Sequence, residues 1–169
     1  MIAQLRGSIV QIDDNMVIID VAGVGYAATV SGKTQAGLAI GGGEVTLLTD
    51  MVVREDSMTL FGFVDTAERD AFRLLVTVQG VGAKAAMAIL SVLTPDDLAG
   101  AIMAGDKAMV ARADGVGPKL AQRVVNELAE KIGALPVSGA APAAIAGGGA
   151  VAGSVGADAM SALVNLGYG

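Results

Sequence analysis

Two ten-residue stretches of the chain carry the same order of residue types. Leu75-Val76-Thr77-Val78-Gln79-Gly80-Val81-Gly82-Ala83-Lys84 aligns with Val110-Ala111-Arg112-Ala113-Asp114-Gly115-Val116-Gly117-Pro118-Lys119 at a constant offset of 35. Each copy reads as the end of one helix, a Gly-Val-Gly hairpin and a new helix whose first turn bears Lys. The chemistry such a hairpin suits is phosphate binding. Its glycines let the backbone turn sharply and come close to a ligand, and the free N–H groups opening the next helix lie at the positive end of its dipole. Lys84 and Lys119 add charge beside those amides, and around the second copy Arg112, Lys119 and Arg123 face a single Asp114. Because backbone amides do the gripping, the contact carries no base-sequence information. The alternative is a helical repeat array whose glycines only permit close packing, although two copies are few for a solenoid.

A second constellation is the adjacent pair Glu55-Asp56. Two carboxylates at a hairpin tip can be solvated turn residues, or they can be metal ligands of a nuclease. Neighbouring residues on a strand point to opposite faces, and no third carboxylate is placed beside them by the sequence, so a shared metal is the weaker option. Two nucleotide-binding patterns also occur. Ala27-Ala28-Thr29-Val30-Ser31-Gly32-Lys33-Thr34 fits a loosened Walker A, with Val17-Ile18-Ile19-Asp20 as the acidic strand, but an apolar strand occupies the loop and Gly37 and Gly41 break any following helix. Gly23-Val24-Gly25-Tyr26-Ala27-Ala28 fits G-x-G-x-x-A, yet Tyr26–Val30 continues as strand, which makes the glycines a tight turn between strands.

The elements that would position these residues fall into two groups. Over residues 1–64, β-branched runs at Ile2–Ile12, Met16–Ala22, Tyr26–Val30, Val45–Val53 and Met58–Phe63 alternate with turn signals, which predicts five strands closing into a small OB-like barrel. From Asp65 the period becomes helical: Asp65-Thr66-Ala67-Glu68 is a capping-box signature, and Ala71, Leu74, Leu75 and Val78 follow on one face. Thr94-Pro95 and Gly117-Pro118 open further helices, the last stopping at Gly133, so 65–133 reads as an all-helical domain with tandem hairpins. Residues 134–157 hold no charge and are mostly Gly and Ala, the composition of a flexible linker. Asp158 to Leu166 could form one helix within 158–169, the start of a truncated third unit that is marginal alone.

Composition narrows the functional classes. With no His and no Cys among 169 residues, Cys/His zinc sites, disulfide frameworks and every nucleophile–His relay are excluded. A net charge of −6 and a pI near 4.5 argue, as averages, against nucleic acid. By region, however, residues 1–64 carry 3 basic and 7 acidic groups, whereas 65–134 carry 8 and 9, so net acidity conceals a locally basic surface at the hairpins. Neither a secretory signal at Met1–Gly7 nor a membrane span in the Gly/Ala-rich 132–157 stretch is expected, and absent Cys fits the cytoplasm.

The G-V-G-x-K arrangement resembles the helix-hairpin-helix motif, which grips duplex phosphates. Taken with the amino-terminal barrel, the chain resembles the bacterial RuvA family, the Holliday-junction-binding subunits of the branch-migration machinery. The resemblance rests on Met1-Ile2 with Leu5-Arg6-Gly7, on Val21 with Gly23-Val24-Gly25-Tyr26, and on Val53-Arg54-Glu55-Asp56 with Leu60-Phe61-Gly62-Phe63. It rests also on Val78-Gln79-Gly80-Val81-Gly82-Ala83-Lys84 and on Gly115-Val116-Gly117-Pro118-Lys119. It implies a tetramer, with an octamer as the further option, that holds four-way junctions open for a partner motor in recombination, repair and the SOS response. It implies phosphate contacts from Gly80, Val81, Gly82, Ala83, Lys84, Gly115, Val116, Gly117, Lys119 and Arg123, an additional DNA contact from Arg54, and an acidic pin of Glu55 and Asp56 at the junction centre. It further implies a mobile third domain that contacts the RuvB ATPase, RuvC resolvase as another partner, no cofactor and no ATPase activity of the chain itself. A metal-dependent nuclease subunit and a helical interaction scaffold remain the alternatives.

Overall fold

A computed structural model of the chain describes residues 1–132. Five strands, β1 (Gln4–Asp13), β2 (Met16–Val21), β3 (Val24–Val30), β4 (Glu44–Val53) and β5 (Met58–Phe63), close into a barrel in the order β1-β2-β3-β5-β4. Every pairing is antiparallel except β3 with β5. Period-two alternation sends Leu5, Ile9, Val17, Ile19, Ala28, Val30 and Leu47 into the barrel. Gly7 is required where β1 crosses β2, since a Cβ there would stand 1.9 Å from the Asp20 carbonyl oxygen. The expected break at Gly23–Gly25 is shorter in the structure. Ala22 and Gly23, both at positive φ, form a two-residue loop, and β3 begins at Val24 with Gly25 already paired to Asp20.

The helical part comprises α2 (Thr66–Val76), α3 (Ala83–Val92), α4 (Pro95–Met103), α5 (Lys107–Val110) and α6 (Pro118–Ile132). Thr94 caps α4 in a full capping box with Asp97, whose carboxyl is held below the usual range by the Thr94 hydroxyl and backbone N–H. The stop expected at Gly133, the 134–157 linker and the 158–169 helix lie outside the described residues.

One expectation holds and one changes. A short helix, α1 (Gly32–Gly37), follows β3, capped by Ser31, and it stops at Gly37, the first of the two glycines expected to break it. The Asp65 side chain does cap α2, accepting from the Glu68 N–H at 2.8 Å, but the Glu68 carboxylate does not return to Asp65. It is buried and accepts instead from the Ser31 hydroxyl (2.5 Å), the Thr34 hydroxyl (2.7 Å) and the Val64 N–H (3.2 Å). The residues that fit a Walker A therefore spend their hydroxyls holding α1 to α2.

Barrel and helices share a core. The chain's three phenylalanines meet at their boundary, Phe61 and Phe63 of β5 each 5.1 Å from the ring of Phe72 on α2. Around them Arg73 of α2 binds Asp50 of β4 at 2.6 Å, which raises the guanidinium's pKa further, and Ser91 of α3 accepts from the Gly32 N–H at 2.8 Å.

Candidate nucleic-acid interface

The offset of 35 is a structural repeat down to individual hydrogen bonds. Val81 N–H donates to the Val78 carbonyl at 3.0 Å and Val116 N–H to Ala113 at 3.1 Å; Ala86 N–H donates to Gly82 at 3.0 Å and Ala121 N–H to Gly117 at 2.9 Å. The buried set repeats likewise, with Ile89, Leu90 and Leu93 answered by Val124, Val125 and Leu128. Gly80 and Gly115 both sit at positive φ, +91° and +73°, the region where a side chain is strained.

This frame decides what each hairpin can offer. Val81, Val116 and Ala83 bury their side chains, so only their backbone is available to a ligand. Gly80, Gly82, Gly115 and Gly117 are exposed, and Gly82 and Gly117 have open space where a Cβ would be. Since the first helical bonds begin at Ala86 and Ala121, the N–H groups of Ala83, Lys84 and Ala85, and of Lys119 and Leu120, have no intrahelical partner. Lys84 and Lys119 are exposed, and neither enters an ion pair among the described residues. Arg123 is half-exposed and differently engaged: its Nη1 donates to the Gln79 carbonyl at 3.1 Å, and its Nε lies 3.9 Å from Glu127.

The carboxylate pair lies at the tip of the β4–β5 hairpin. Val53 pairs with Met58, and the Arg54 N–H donates to the Ser57 carbonyl at 2.8 Å, leaving Glu55 and Asp56 as an exposed two-residue loop. Arg54 and Lys84 line one cleft of about 180 Å³ together with Ser57 and Thr59. The barrel hairpin and the first Gly-Val-Gly loop thus each place a cation, 30 positions apart in sequence, on the same cleft. Ser57 and Thr59 went unnoticed in the sequence because an isolated hydroxyl residue near a turn carries no signal. Among the described residues no three acidic side chains gather as a metal site would need, and no single helix is long and apolar enough to cross a membrane.

Comparison with known proteins matches both halves. Residues 1–62 match the RuvA N-terminal domain and residues 72–130 the SAM-like helix-hairpin-helix tandem. The chain is 52% identical to the Holliday junction branch migration complex subunit RuvA of Acidiphilium cryptum, over 99% of this chain and 83% of that protein. The chain belongs to the RuvA family. The subunits of the same name from Rhodospirillum centenum and Sphingopyxis alaskensis are also 52% identical, over 99% of this chain and 83% and 82% of theirs. The two matched spans follow the structural division: the first ends with β5 and the second covers the helices that carry both Gly-Val-Gly hairpins.

Proposed function

We propose that the chain binds four-way DNA junctions by their shape and phosphates, independently of base sequence, as a subunit of a branch-migration complex. The observation that carries this reading is the duplicated hairpin, with exposed glycines, helix-start amides that have no intrahelical partner, and in each copy an exposed Lys with no ion pair among the described residues. Gly80 to Lys84 would grip one backbone segment and Gly115 to Lys119 another, the Val81, Val116 and Ala83 contributions coming from backbone alone. Arg123 adds charge beside the first loop, and Arg54 extends that surface through the shared cleft.

Glu55 and Asp56 act as a pin at the crossover. Their charge repels phosphates and keeps the arms apart, which favours an open junction over plain duplex at some cost in affinity. The role requires several copies around one centre, and we assign the chain a homotetramer, with face-to-face octamers as a second arrangement. Residues 1–64 and 65–133 serve as the two DNA-facing modules, and 134–169 as the tether and contact for a RuvB-type ATPase. That motor supplies the work; the chain itself hydrolyses no ATP. A RuvC-type resolvase would meet the open face of the junction in the cytoplasm.

The test is a gel shift comparing a four-way junction with linear duplex of the same sequence in Mg²⁺, followed by a denaturing gel. Preferential shift of the junction with all strands intact is expected. Strand cleavage would make the chain a nuclease, and no shift even at low salt would make it a protein scaffold.

A further inference from the structure

The two hairpins are alike in backbone and unlike in what holds them. Along α6, Arg123, Glu127 and Lys131 recur every four residues and so form one stripe. All three reach the first hairpin. Arg123 Nη1 donates to the Gln79 carbonyl (3.1 Å), Glu127 Oε2 accepts from the Gln79 N–H (3.4 Å), and Lys131 Nζ donates to the Thr77 hydroxyl (2.6 Å). Both polar groups of the Gln79 peptide are held by one helix, and Arg123 lies beside Glu127 in turn. Gly80 follows directly: a Cβ there would stand 3.6 Å from Arg123 Nη1 and 3.4 Å from the end of Leu120.

The repeat supplies its own control. Subtracting 35 from Arg123 and Glu127 gives Ala88 and Val92 on α3, and the counterpart of Gln79 is Asp114. Ala88 and Val92 can make no such bonds. Instead they line, with Asp114 and Lys84, a cavity of about 460 Å³, and nothing lies within 4 Å of a Cβ placed on Gly115.

We propose that the Arg123–Glu127–Lys131 stripe is a clamp that braces the first hairpin for phosphate, whereas the second hairpin holds the same backbone form by its own hydrogen bonds, without such a brace. The proposal rests on the DNA-binding reading above and assigns Glu127 a positioning role that its charge alone would not suggest. A carboxylate beside a phosphate-binding loop repels the ligand, so removing it should tighten binding unless it holds the loop. The one-sided clamp also gives the hairpins different tasks: the braced loop sets position, and the unbraced one, equally preformed, yields more readily to the ligand.

The experiment compares Glu127→Ala with Glu127→Gln in the full chain, by hydrogen–deuterium exchange of the free protein and by titration with a four-way junction. Glu127 is part-exposed, and a thermal melt checks that each variant folds. We expect the alanine variant to lose exchange protection over residues 77–82 but not over 112–117, and to bind the junction about tenfold more weakly, the scale of one charge-assisted hydrogen bond. Glutamine keeps an acceptor for the Gln79 N–H and sheds the charge, so it should bind more tightly than alanine and keep the protection. Alanine binding as tightly as wild type, glutamine behaving like alanine, or weaker binding without a change in exchange would each overturn the clamp. If the wild-type chain fails to shift the junction at all, the DNA-binding reading fails, and the exchange data still decide whether the stripe braces the loop.

Discussion

At the scale of single residues, DNA binding divides into charges that attract and charges that discriminate. Lys84 and Lys119 stand exposed at equivalent places in the two hairpins, without ion-pair partners among the described residues. Each neutralised phosphate releases counterions, so Lys84→Ala or Lys119→Ala should weaken junction binding and flatten the log affinity against log salt line by about one unit each. Slopes equal to wild type would remove these lysines from the phosphate contact. In the proposed reading Glu55 and Asp56 act in the other direction. The double change Glu55→Gln with Asp56→Asn should raise affinity for linear duplex more than for the junction; a junction-to-duplex ratio that stays put would end the pin role. The lysines' place in the two hairpins was legible in the sequence because it depends on residue type at a turn, whereas the pin reading of Glu55 and Asp56 came only with the family resemblance. Arg54 shows where that legibility ends, since the cleft it shares with Lys84 is formed only when the β4–β5 hairpin and the start of α3 come together.

At the scale of elements, the glycines of one hairpin have separable duties. Gly80 sits at φ +91°, where an L side chain is strained, and faces Leu120 and Arg123. Gly80→Ala should therefore lower stability to denaturant by about 1–2 kcal/mol. Gly82 has φ −85° and open space around it, so Gly82→Ala should be milder in denaturation yet weaken DNA binding, because its methyl stands before the free amides of α3. Equal stability losses, or Gly82→Ala binding like wild type, would contradict this division. The sequence pattern located both hairpins but overstated their symmetry. The helix leading into the first is the eleven-residue α2, whereas a single turn, the four-residue α5, leads into the second. Propensity could not have revealed the difference, because Thr77, Gln79 and their partners on α6 lie 44 to 54 positions apart.

At the scale of the whole molecule, the interface depends on the barrel and helices holding one geometry. That geometry is secured by Phe61, Phe63 and Phe72, by the Arg73–Asp50 pair, and by Glu68 with Ser31, Thr34 and the Val64 N–H. Glu68→Ala would leave two hydroxyls and one backbone N–H without their acceptor in a buried place, and we expect a loss of about 2–4 kcal/mol in chemical denaturation. Glu68→Gln, which keeps an acceptor oxygen, should lose clearly less. If alanine costs no more than glutamine, the cluster is not what fixes α1 to α2.

Local residue order was enough to determine the barrel strands, the helix starts at Asp65 and Thr94, the duplicated Gly-Val-Gly hairpins and the acidic turn. Each of these is decided by near neighbours: alternation, caps and glycines act over a few positions. Tertiary structure alone decided where Ser31, Thr34 and Glu68 direct their polar groups, that Arg54 and Lys84 share a cleft, and that Arg123, Glu127 and Lys131 of α6 bond the first hairpin. Those outcomes turn on side chains brought together from 30 to 54 positions apart, where burial and an available hydrogen-bond partner outweigh what the local motif prefers.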